Sequence, residues 1–308
     1  MTKVVVFGSF VVDLMARTPH LPRPAETVKG SFFKMGAGGK GFNQAVAAKK
    51  AGADVTMITK VGEDSFAQVA FNVMDELGMD KSSIFVSKED GTGIAIITVD
   101  ENTSENEIVI VSRACGMITE EEIDLIAPKI EEADYVLLQL EVNQDANERV
   151  AKIAKAAGTN VIVNTAPFSP VTDEFLDGVY LVTPNEVEME ELTGVPVTDE
   201  KSAAKAAEII RAKGVQNVIV TMGKLGAFLR EDDGHQEMIP AYTVKTVDTT
   251  GAGDAFNGGL LAALSEGKSL REAAKFATAV GALSVQKIGT TPSMPSRTEI
   301  DQFIGEQV

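Results

Sequence analysis

From about residue 120 onward, the chain alternates short apolar runs with longer amphipathic segments. The run 135–140 lies between the segments 120–132 and 144–157, and the apolar run 160–164 follows them. Apolar runs of this length are typical of strands buried on both faces, and strands separated by helices are usually parallel. The alternation therefore predicts an α/β fold with a doubly wound, mostly parallel sheet and helices on both of its faces.

The N-terminal part contains strand-like segments of another kind. Residues 4–7 form a continuous apolar run, as expected for a central strand, whereas the segments 14–18, 27–35, 94–99 and 108–111 are mixed in polarity. Such segments are typical of a sheet with one or both faces in water. We expect a single domain, residues 1–308, with an inserted β-sheet lid formed by about 14–36 and 93–112.

Polar residues follow many of the predicted strands. In doubly wound sheets, ligands bind at the carboxyl ends of the strands, so these positions predict a binding site there. The residues concerned are Asp13, Glu141, Asn164, Asn185, Thr221 and Asp248.

A glycine-rich stretch, 247–259, joins a predicted strand at 242–247 to a predicted helix at 255–264. Gly251 and Gly253 allow a sharp turn, and the first amides of the helix then have no carbonyl partner and attract anions such as phosphate. Asp254 stands at the edge of this anion site. Its position fits a helix cap and a catalytic carboxylate equally well.

The composition excludes several classes of partner. A net charge of −17 argues against binding to nucleic acid or to an anionic membrane surface. The single cysteine, Cys115, excludes an internal disulfide and fits a reducing, cytoplasmic location, where we expect it to be a small buried residue. An anionic substrate would need backbone amides, a few cations or a metal ion in this acidic chain.

The segment Gly36-x-Gly38-x-x-Gly41 matches the dinucleotide-binding fingerprint. It follows a predicted lid strand rather than the first buried strand, and Lys40 stands inside the turn. A dinucleotide-binding oxidoreductase is therefore the weaker alternative. No Walker A segment is present in the sequence.

Four ordered motifs resemble the ribokinase family of sugar kinases, within the phosphofructokinase-B-type superfamily. The resemblance covers nearly the whole chain. The four motifs are Gly38-Gly39-Lys40-Gly41-x-Asn43-Gln44-Ala45, Thr183-Pro184-Asn185-Glu186-x-Glu188, Thr221-x-Gly223-x-x-Gly226 and Asp248-Thr249-Thr250-Gly251-Ala252-Gly253-Asp254. The resemblance implies a Rossmann-like sheet with a β lid. It also implies ATP as phosphoryl donor and Mg²⁺ as cofactor.

Residue roles follow from the same resemblance. Asp254 is implied as the base that accepts the proton of a sugar hydroxyl, and the amides of Gly251, Ala252, Gly253 and Asp254 as the anion hole. Asn185 and Glu188 are implied to act near the phosphates and Mg²⁺, through water. The residues implied to lie along ATP are Thr221, Gly223, Gly226, Gly253 and Thr278.

The resemblance also implies a sugar site and a monovalent cation site. Sugar hydroxyls would be held by Asp13, Gly39, Lys40, Asn43, Glu141 and Asp254, with Val11 beside them. A K⁺ ion is implied near Asp248, Thr250, Ser284, Lys287, Gly289 and Ser293. Two lids often clasp each other in this family, so we expect a homodimer that covers an apolar lid face containing Phe32, Ile94, Ile96 and Ile108.

Several positions depart from the family pattern and bear on the sugar. Val11 stands where ribokinases typically have Asn and deoxyribokinases an apolar residue, so we expect 2-deoxyribose to be accepted at least as well as ribose. Phe42 replaces a small residue and is expected to narrow the sugar pocket. Thr165 and the segment Arg113-Ala114-Cys115 also differ from the usual residues.

The expected activity is thus phosphorylation of the C5 hydroxyl of a pentose, ribose or 2-deoxyribose. Three alternatives remain at this stage: a kinase for a fructose-like hexose or a nucleoside, the oxidoreductase, and a catalytically silent sensor of sugar or nucleotide.

Overall fold

The computed structural model describes residues 2–103 and 105–307. Its strands are β1 (Val4–Phe7), β2 (Val11–Thr18), β3 (Phe32–Gly38), β4 (Val55–Gly62), β5 (Ile84–Ser87), β6 (Gly93–Asp100), β7 (Asn106–Val111), β8 (Tyr135–Leu138), β9 (Asn160–Val163), β10 (Leu181–Val182), β11 (Asn217–Thr221), β12 (Ala227–Arg230) and β13 (Gln236–Ile239). Its helices are α1 (Lys40–Lys50), α2 (Ala67–Glu76), α3 (Glu120–Glu131), α4 (Gln144–Ala157), α5 (Asp173–Leu176), α6 (Glu186–Thr193), α7 (Glu200–Arg211), α8 (Ala252–Ser265), α9 (Leu270–Ser284) and α10 (Arg297–Glu306).

The central sheet has nine strands in the order β13-β12-β11-β10-β9-β8-β1-β4-β5. The neighbours from β11 to β5 pair in parallel, and only β12 and β13 run antiparallel to their neighbours. One hydrophobic cluster joins the sheet to α1, α2, α8, α9 and α10, and another joins it to α3–α7. The predicted doubly wound sheet with helices on both faces is confirmed.

A second sheet of four strands, in the order β3-β2-β6-β7, forms the lid. Strand β2 pairs antiparallel with β3 and parallel with β6, so that Asp13 lies between Gly36 and Ala95. The lid strands start and end nearer the central sheet than the sequence pattern indicated, because β2 already begins at Val11 and β3 continues to Gly38. The lid therefore begins at the carboxyl edge of the central sheet.

The lid register corrects the apolar face expected from the sequence. Phe32 pairs with Arg17, and Ile108 pairs with Ile97, which places both on the lid face that carries Asp13. Ile94 and Ile96 lie on the opposite face, because side chains alternate along a strand. The four residues therefore do not form one surface.

The predicted strand at 242–247 is wrong. Strand β13 ends at Ile239 and is the last strand of the sheet, and the next residue, Pro240, has no amide hydrogen to continue a ladder. The chain then leaves the sheet, Tyr242 stacks edge-on against Phe303, and Val247 donates to the carbonyl of Val285. The glycine-rich stretch is thus reached through a loop that crosses α9 and α10.

Close packing of α8 against α1 positions the two helix starts. A Cβ at Gly258 would lie 2.4 Å from the Cβ of Ala47, so the glycine permits this approach. As a result, the first turns of α1 and α8 lie side by side at the edge of the central sheet. Within the described residues, no helix combines the length and apolarity needed to cross a bilayer.

Candidate active site

Asp254 lies in the first turn of α8 and is 6% exposed. The residue before the helix, Gly251, has φ 79°, a left-handed conformation that favours glycine and turns the chain into the helix. The amide of Ala252 donates to the carbonyl of Thr249, and the amides of Gly253 and Asp254 follow it in the first turn. Helix starts of this kind favour bound anions.

Two side chains from α1 hold the carboxylate of Asp254. Asn43 Nδ2 donates to Oδ2 at 3.0 Å, and Gln44 Nε2 donates to Oδ1 at 2.9 Å. Two donors fix the plane of the carboxylate. Unlike a simple helix cap, the Asp254 carboxylate accepts its hydrogen bonds from side chains of another helix and not from amides of its own helix.

A chain of buried amides extends from this pair. Gln139 Nε2 donates to Gln44 Oε1 at 2.8 Å, and Gln44 Nε2 also donates to Asn164 Oδ1 at 3.0 Å. On the other side, Asn257 Nδ2 donates to the carbonyl of Gly253 at 2.9 Å. Sequence reasoning placed Asn164 among the strand-end residues of a predicted binding site, and it gave Gln44, Gln139 and Asn257 no role, although Gln44 stands in a quoted motif. Their shared signal is a buried amide next to a strand end or a helix start.

A polar cavity of about 170 Å³ opens beside Asp254. It brings together Lys40, Asn185, Glu188 and Thr221 with the helix start 251–254, all of which the sequence predicted as site residues. The other residues that line the cavity, for which the sequence analysis gave no specific role, are Asn164, Ala166, Thr183, Thr249 and Asn257.

Lys40 is the cation of this acidic site. Burial alone would lower the pKa of its ammonium group, but the carboxylates of Asp254, Glu141 and Glu188 together raise that pKa above its ordinary value. The ammonium group therefore stays charged and partly balances three carboxylates. Gly39, which precedes it at φ 88°, brings the start of α1 against the carbonyl of Ser9.

Asp13 and Glu141 approach the same place from the lid and from the end of β8. Glu141 Oε2 accepts from the Lys40 amide at 2.8 Å and from the Ser9 hydroxyl. Burial raises the pKa of Glu141 despite these donors and the charge of Lys40. Burial, followed by the charges of Glu141 and Asp254, raises the pKa of Asp13 to about 7. The carboxylates thus repel one another in the absence of a ligand, and hydroxyl donors would relieve them.

Asn185 and Glu188 form a capping box at the start of α6. Asn185 Oδ1 accepts from the Glu188 amide at 2.8 Å, and Glu188 Oε2 accepts from the Asn185 amide at 3.0 Å and from the Thr165 hydroxyl at 3.3 Å. Burial raises the pKa of Glu188. A buried carboxylate that faces a polar cavity has the oxygen chemistry that Mg²⁺-bound water requires, so these residues fit the metal.

Three of the predicted ATP residues lie outside this cavity. Gly223 and Gly226 flank the turn between β11 and β12, and a Cβ at Gly226 would lie 2.0 Å from the carbonyl oxygen of Ile239. Thr278 is on α9, and its hydroxyl donates to the carbonyl of Ala274 at 2.9 Å. Thr221, by contrast, pairs with Asn185 at the edge of the sheet and lines the cavity.

The segments predicted to hold a monovalent cation do come together. Asp248 Oδ1 accepts from the Thr250 amide at 2.9 Å, and Oδ2 accepts from the Gly289 amide at 2.9 Å. Burial alone would raise the pKa of Asp248, but these amides lower it overall. The Ser284 hydroxyl donates to Gly281, the Ser293 hydroxyl donates to Thr290, and the Lys287 ammonium pairs with Glu299 outside the loop. Asp248, whose lowered pKa favours the carboxylate, is thus the group in these segments that suits a cation, whereas Ser284, Ser293 and Lys287 contact other partners.

Most of the positions that depart from the family pattern are buried, and Arg113 is half-buried. Val11 is 2% exposed and packs with Ala95 and Cys115, and burial raises the pKa of the Cys115 thiol to about 12. Phe42 points into the core, where its ring meets Phe10 edge-on at 4.9 Å between centroids. The expectation that Phe42 narrows the sugar pocket is therefore wrong, since core packing takes its side chain away from the cleft.

Two glycines of the dinucleotide-like fingerprint, Gly38 and Gly41, have a packing role. Gly36 and Gly38 pair with β2 in the lid, and a Cβ at Gly38 would lie 2.2 Å from Asp13 Oδ1. A Cβ at Gly41 would lie 2.7 Å from the backbone of Gly8. These residues bring the lid and α1 close to the site instead of cradling a pyrophosphate after β1.

The whole arrangement suits phosphoryl transfer to a hydroxyl group. An oriented carboxylate stands next to an anion-binding helix start, with an ammonium group and a magnesium-compatible carboxylate on the other side of one cavity. Such transfer depends mainly on positioning and on stabilisation of phosphoryl charge, so a weak base suffices.

Comparison with known proteins agrees with this chemistry. The model of the pfkB family carbohydrate kinases matches residues 1–297. The chain is 40% identical over 301 residues to a ribokinase of Haemophilus influenzae, covering 98% of both chains, and 36% identical over 304 residues to a deoxyribokinase of Salmonella typhi, again covering 98% of both. The structure of Arabidopsis thaliana ribokinase complexed with ribose and ATP superposes with a TM-score of 0.90 at 30% identity, covering 98% of both chains.

Proposed function

The chain belongs to the pfkB family of carbohydrate kinases, and we propose that it transfers the γ-phosphoryl group of ATP to the C5 hydroxyl of ribose or 2-deoxyribose. The observation that carries the proposal is the carboxylate of Asp254, oriented by Asn43 and Gln44 beside the helix start at 251–254. Similarity to both a ribokinase and a deoxyribokinase over nearly the full length supports a pentose as acceptor.

Asp254 accepts the proton of the attacking hydroxyl. Its two amide donors keep it aligned, and proton acceptance late in a loose transition state does not require a strong base. The amides of Ala252, Gly253 and Asp254 in the first turn of α8, with Gly251 before the helix, stabilise charge on the transferred phosphoryl group. Asp13, Gly39, Lys40, Asn43 and Glu141 hold the remaining sugar hydroxyls.

ATP reaches the cavity along the strand ends at Thr221 and the turn at Gly223 and Gly226, with α9 at Thr278 beside it. Asn185 and Glu188 hold the water shell of Mg²⁺, which neutralises phosphate charge when bound. K⁺ in the loop of Asp248, Thr250, Ser284, Lys287, Gly289 and Ser293 would strengthen the anion site through the segment that leads into Gly251. A cytoplasmic location is part of the proposal because the reaction consumes ATP.

The choice between the two pentoses depends on the wall at Val11. Its side chain packs among apolar groups and offers no partner to a hydroxyl, and a buried hydroxyl left without a partner would cost about 1–3 kcal/mol. A sugar without the C2 hydroxyl avoids that loss. We therefore expect 2-deoxyribose to be accepted as a substrate at least as well as ribose.

The lid supports a homodimer. The face opposite Asp13 exposes a continuous set of apolar side chains, and such a patch is usually covered by a partner. This set, which we call the outer lid face, consists of Phe33, Met35, Ile96, Val109 and Val111. A second copy of the chain would bury it and would also pair or cover the lid edges.

The deciding experiment is a sugar panel. Purified protein is assayed with ATP and Mg²⁺ against ribose, 2-deoxyribose, fructose and a nucleoside, with K⁺ and then with a large organic cation in its place. We expect turnover of the two pentoses with the phosphate on C5, and faster turnover with K⁺. Turnover of fructose or a nucleoside alone would overturn the pentose assignment, and protection from heat by NAD rather than by ATP would favour the oxidoreductase.

A further inference from the structure

Arg113 has an unusual backbone at the point where the chain leaves the lid. It follows the end of β7 by two residues, and its φ is +49°, in the left-handed region that residues with a side chain rarely adopt. Such a conformation persists only where surrounding contacts fix it, and it is enriched at functional sites. The contacts of the side chain identify what fixes it here.

The guanidinium group of Arg113 crosses to the segment that enters the lid. Nε donates to Asp90 Oδ1 at 3.0 Å, and Nη1 donates to the carbonyl of Thr92 at 3.3 Å. The group lies directly on Gly91, where a Cβ would be 2.2 Å from Nη2, and the amide of Ala114 donates to the Gly91 carbonyl at 3.1 Å. Residues 90–92 and 113–114 are thus joined by side chain and backbone together.

The entering segment is itself tied to the main domain. Asp64 accepts from the amide and the hydroxyl of Thr92, both at 2.7 Å, and also from the amides of Phe66 and Ala67 at the start of α2. The Gly62 amide donates to the Thr92 hydroxyl at 3.0 Å. We call Asp64, with its contacts to Thr92, the anchor. The chain that follows β7 is therefore connected to this anchor largely through Arg113.

Residues 112–115 also contact groups next to Asp13 and Glu141, the carboxylates proposed to bind the sugar. The Ser112 hydroxyl donates to the carbonyl of Glu141 at 3.4 Å, and the Cys115 thiol donates to the carbonyl of Ser112 at 3.1 Å. Cys115 also packs against Val11 and Ala95, and Ala95 is the strand partner of Asp13. A shift of residues 112–115 would therefore displace the surroundings of both Asp13 and Glu141.

We propose that Arg113 is a positioning residue for sugar binding. By joining the two ends of the β6–β7 hairpin to the anchor at Asp64, it sets how the lid stands over Asp13 and Glu141, without touching the substrate itself. This inference rests on the proposed function, because it assigns these two carboxylates to the sugar.

The test compares Arg113→Gly and Asp90→Ala with the wild type and with Arg149→Ala. Arg149 is a matched control, since it is 36% exposed against 34% for Arg113 and forms ion pairs with Glu120 and Asp124 away from the lid. Glycine adopts a left-handed φ without strain, so Arg113→Gly removes the contacts while keeping the backbone. We expect the KM for the sugar to rise about tenfold, as misplaced binding groups would cause, with little change in the KM for ATP or in Tm.

Further readouts separate positioning from a general loss of fold. The double variant Arg113→Gly/Asp90→Ala should be no worse than Arg113→Gly alone, because Arg113→Gly already removes the ion pair with Asp90. Amides of 106–111 should exchange hydrogen faster in both single variants than in Arg149→Ala. An unchanged sugar KM, or an equal rise of both KM values with a lower Tm, would overturn the inference.

The two proposals can fail separately. If the wild type phosphorylates neither pentose, the proposed function fails, whereas hydrogen exchange still tests the contact made by Arg113. Faster exchange at 106–111 in Arg113→Gly then supports its role in fixing the lid, and unchanged exchange rejects it.

Discussion

The side chain of Gln44 donates to Asp254 Oδ1 at 2.9 Å, so the proposed base on α8 is oriented by a residue of α1. The same amide nitrogen also donates to Asn164, and Gln44 Oε1 accepts from Gln139. Alignment of the base therefore depends on the packing of two helices against the sheet, rather than on the glycine-rich stretch alone.

Gln44→Glu should lower kcat by at least about tenfold, because it places a second carboxylate against Asp254 and removes a donor that orients it. Steady-state kinetics check this, with Gln68→Glu as a matched control on the exposed side of α2, where Gln68 contacts only Asn72 among the described side chains. A kcat equal to that of the control would show that orientation by Gln44 does not matter.

Asp254→Asn should lower kcat by about 100- to 10,000-fold, the usual contribution of a positioned acid or base. ATP affinity should change little, since the backbone of the first turn of α8 remains. Turnover assays and calorimetric titration with ATP measure the two effects. Wild-type turnover in this variant would remove Asp254 from the mechanism.

Sugar binding should weaken below about pH 7. The pKa of Asp13 is raised to about 7, chiefly by burial, so a falling pH protonates the carboxylate that accepts sugar hydroxyls. The fall of kcat/KM toward acid pH should be absent in Asp13→Asn. At pH 8 this variant should bind the sugar more weakly than the wild type. A profile that keeps its acid limb in that variant would point to another group.

The same pKa has the opposite consequence for folding. A raised pKa in the folded state favours folding while the group is protonated, so this contribution is complete below the unfolded value of 3.8 and is lost as the pH rises through about 7. Without sugar, Asp13→Asn should therefore raise stability at pH 8 by on the order of 2 kcal/mol and by much less at pH 5. Thermal melts at the two pH values test this, with the exposed Asp54→Asn as control.

Val11→Asn should shift preference from 2-deoxyribose toward ribose. An amide at this position supplies a partner for a further hydroxyl, worth about 1–3 kcal/mol, or roughly tenfold in relative kcat/KM. The two sugars are compared side by side in wild type and variant. A strong ribose preference in the wild type that the variant does not increase would contradict the role of this position.

Val109→Asp should lower the dimer fraction. Val109 is 59% exposed on the outer lid face, and a buried carboxylate there would oppose association. Light scattering after size exclusion gives the mass, and Leu125→Asp, an exposed apolar residue of α3 away from the lid, is the control. A wild type that is monomeric at all concentrations would contradict the proposed dimer.

The sequence predicted the fold well where pattern and burial agree. Strand β1 is apolar throughout, and β8 and β9 are apolar after their first residue, because both faces of these strands are covered. The prediction failed at 242–247, where β-branched residues suggested a strand, because Pro240 and the edge of the sheet end the ladder. A pattern of residues does not show where a sheet stops.

The site was predictable in its charged groups and less so in its supporting ones. Asp13 and Asp254 could be named because acidic residues at strand ends and helix starts are conspicuous, and Lys40 and Glu188 because they stand in motifs that resemble the ribokinase family. The contact of Gln44 with Asp254 and the strained backbone of Arg113 depend on distances between segments far apart in the chain, which spacing alone does not give. The sequence also did not separate the two faces of the lid, because only the pairing register shows that Phe32 and Ile96 lie on opposite faces.

The pairing of β2 with β6 has a consequence for how the protein folds. The lid sheet is built from two hairpins in distant parts of the chain, which meet in the parallel pairing of β2 with β6. Closing such a long loop is entropically unfavourable early in folding, so this junction is expected to form late. Within the lid, the β2–β3 and β6–β7 hairpins would therefore form before the junction that joins them.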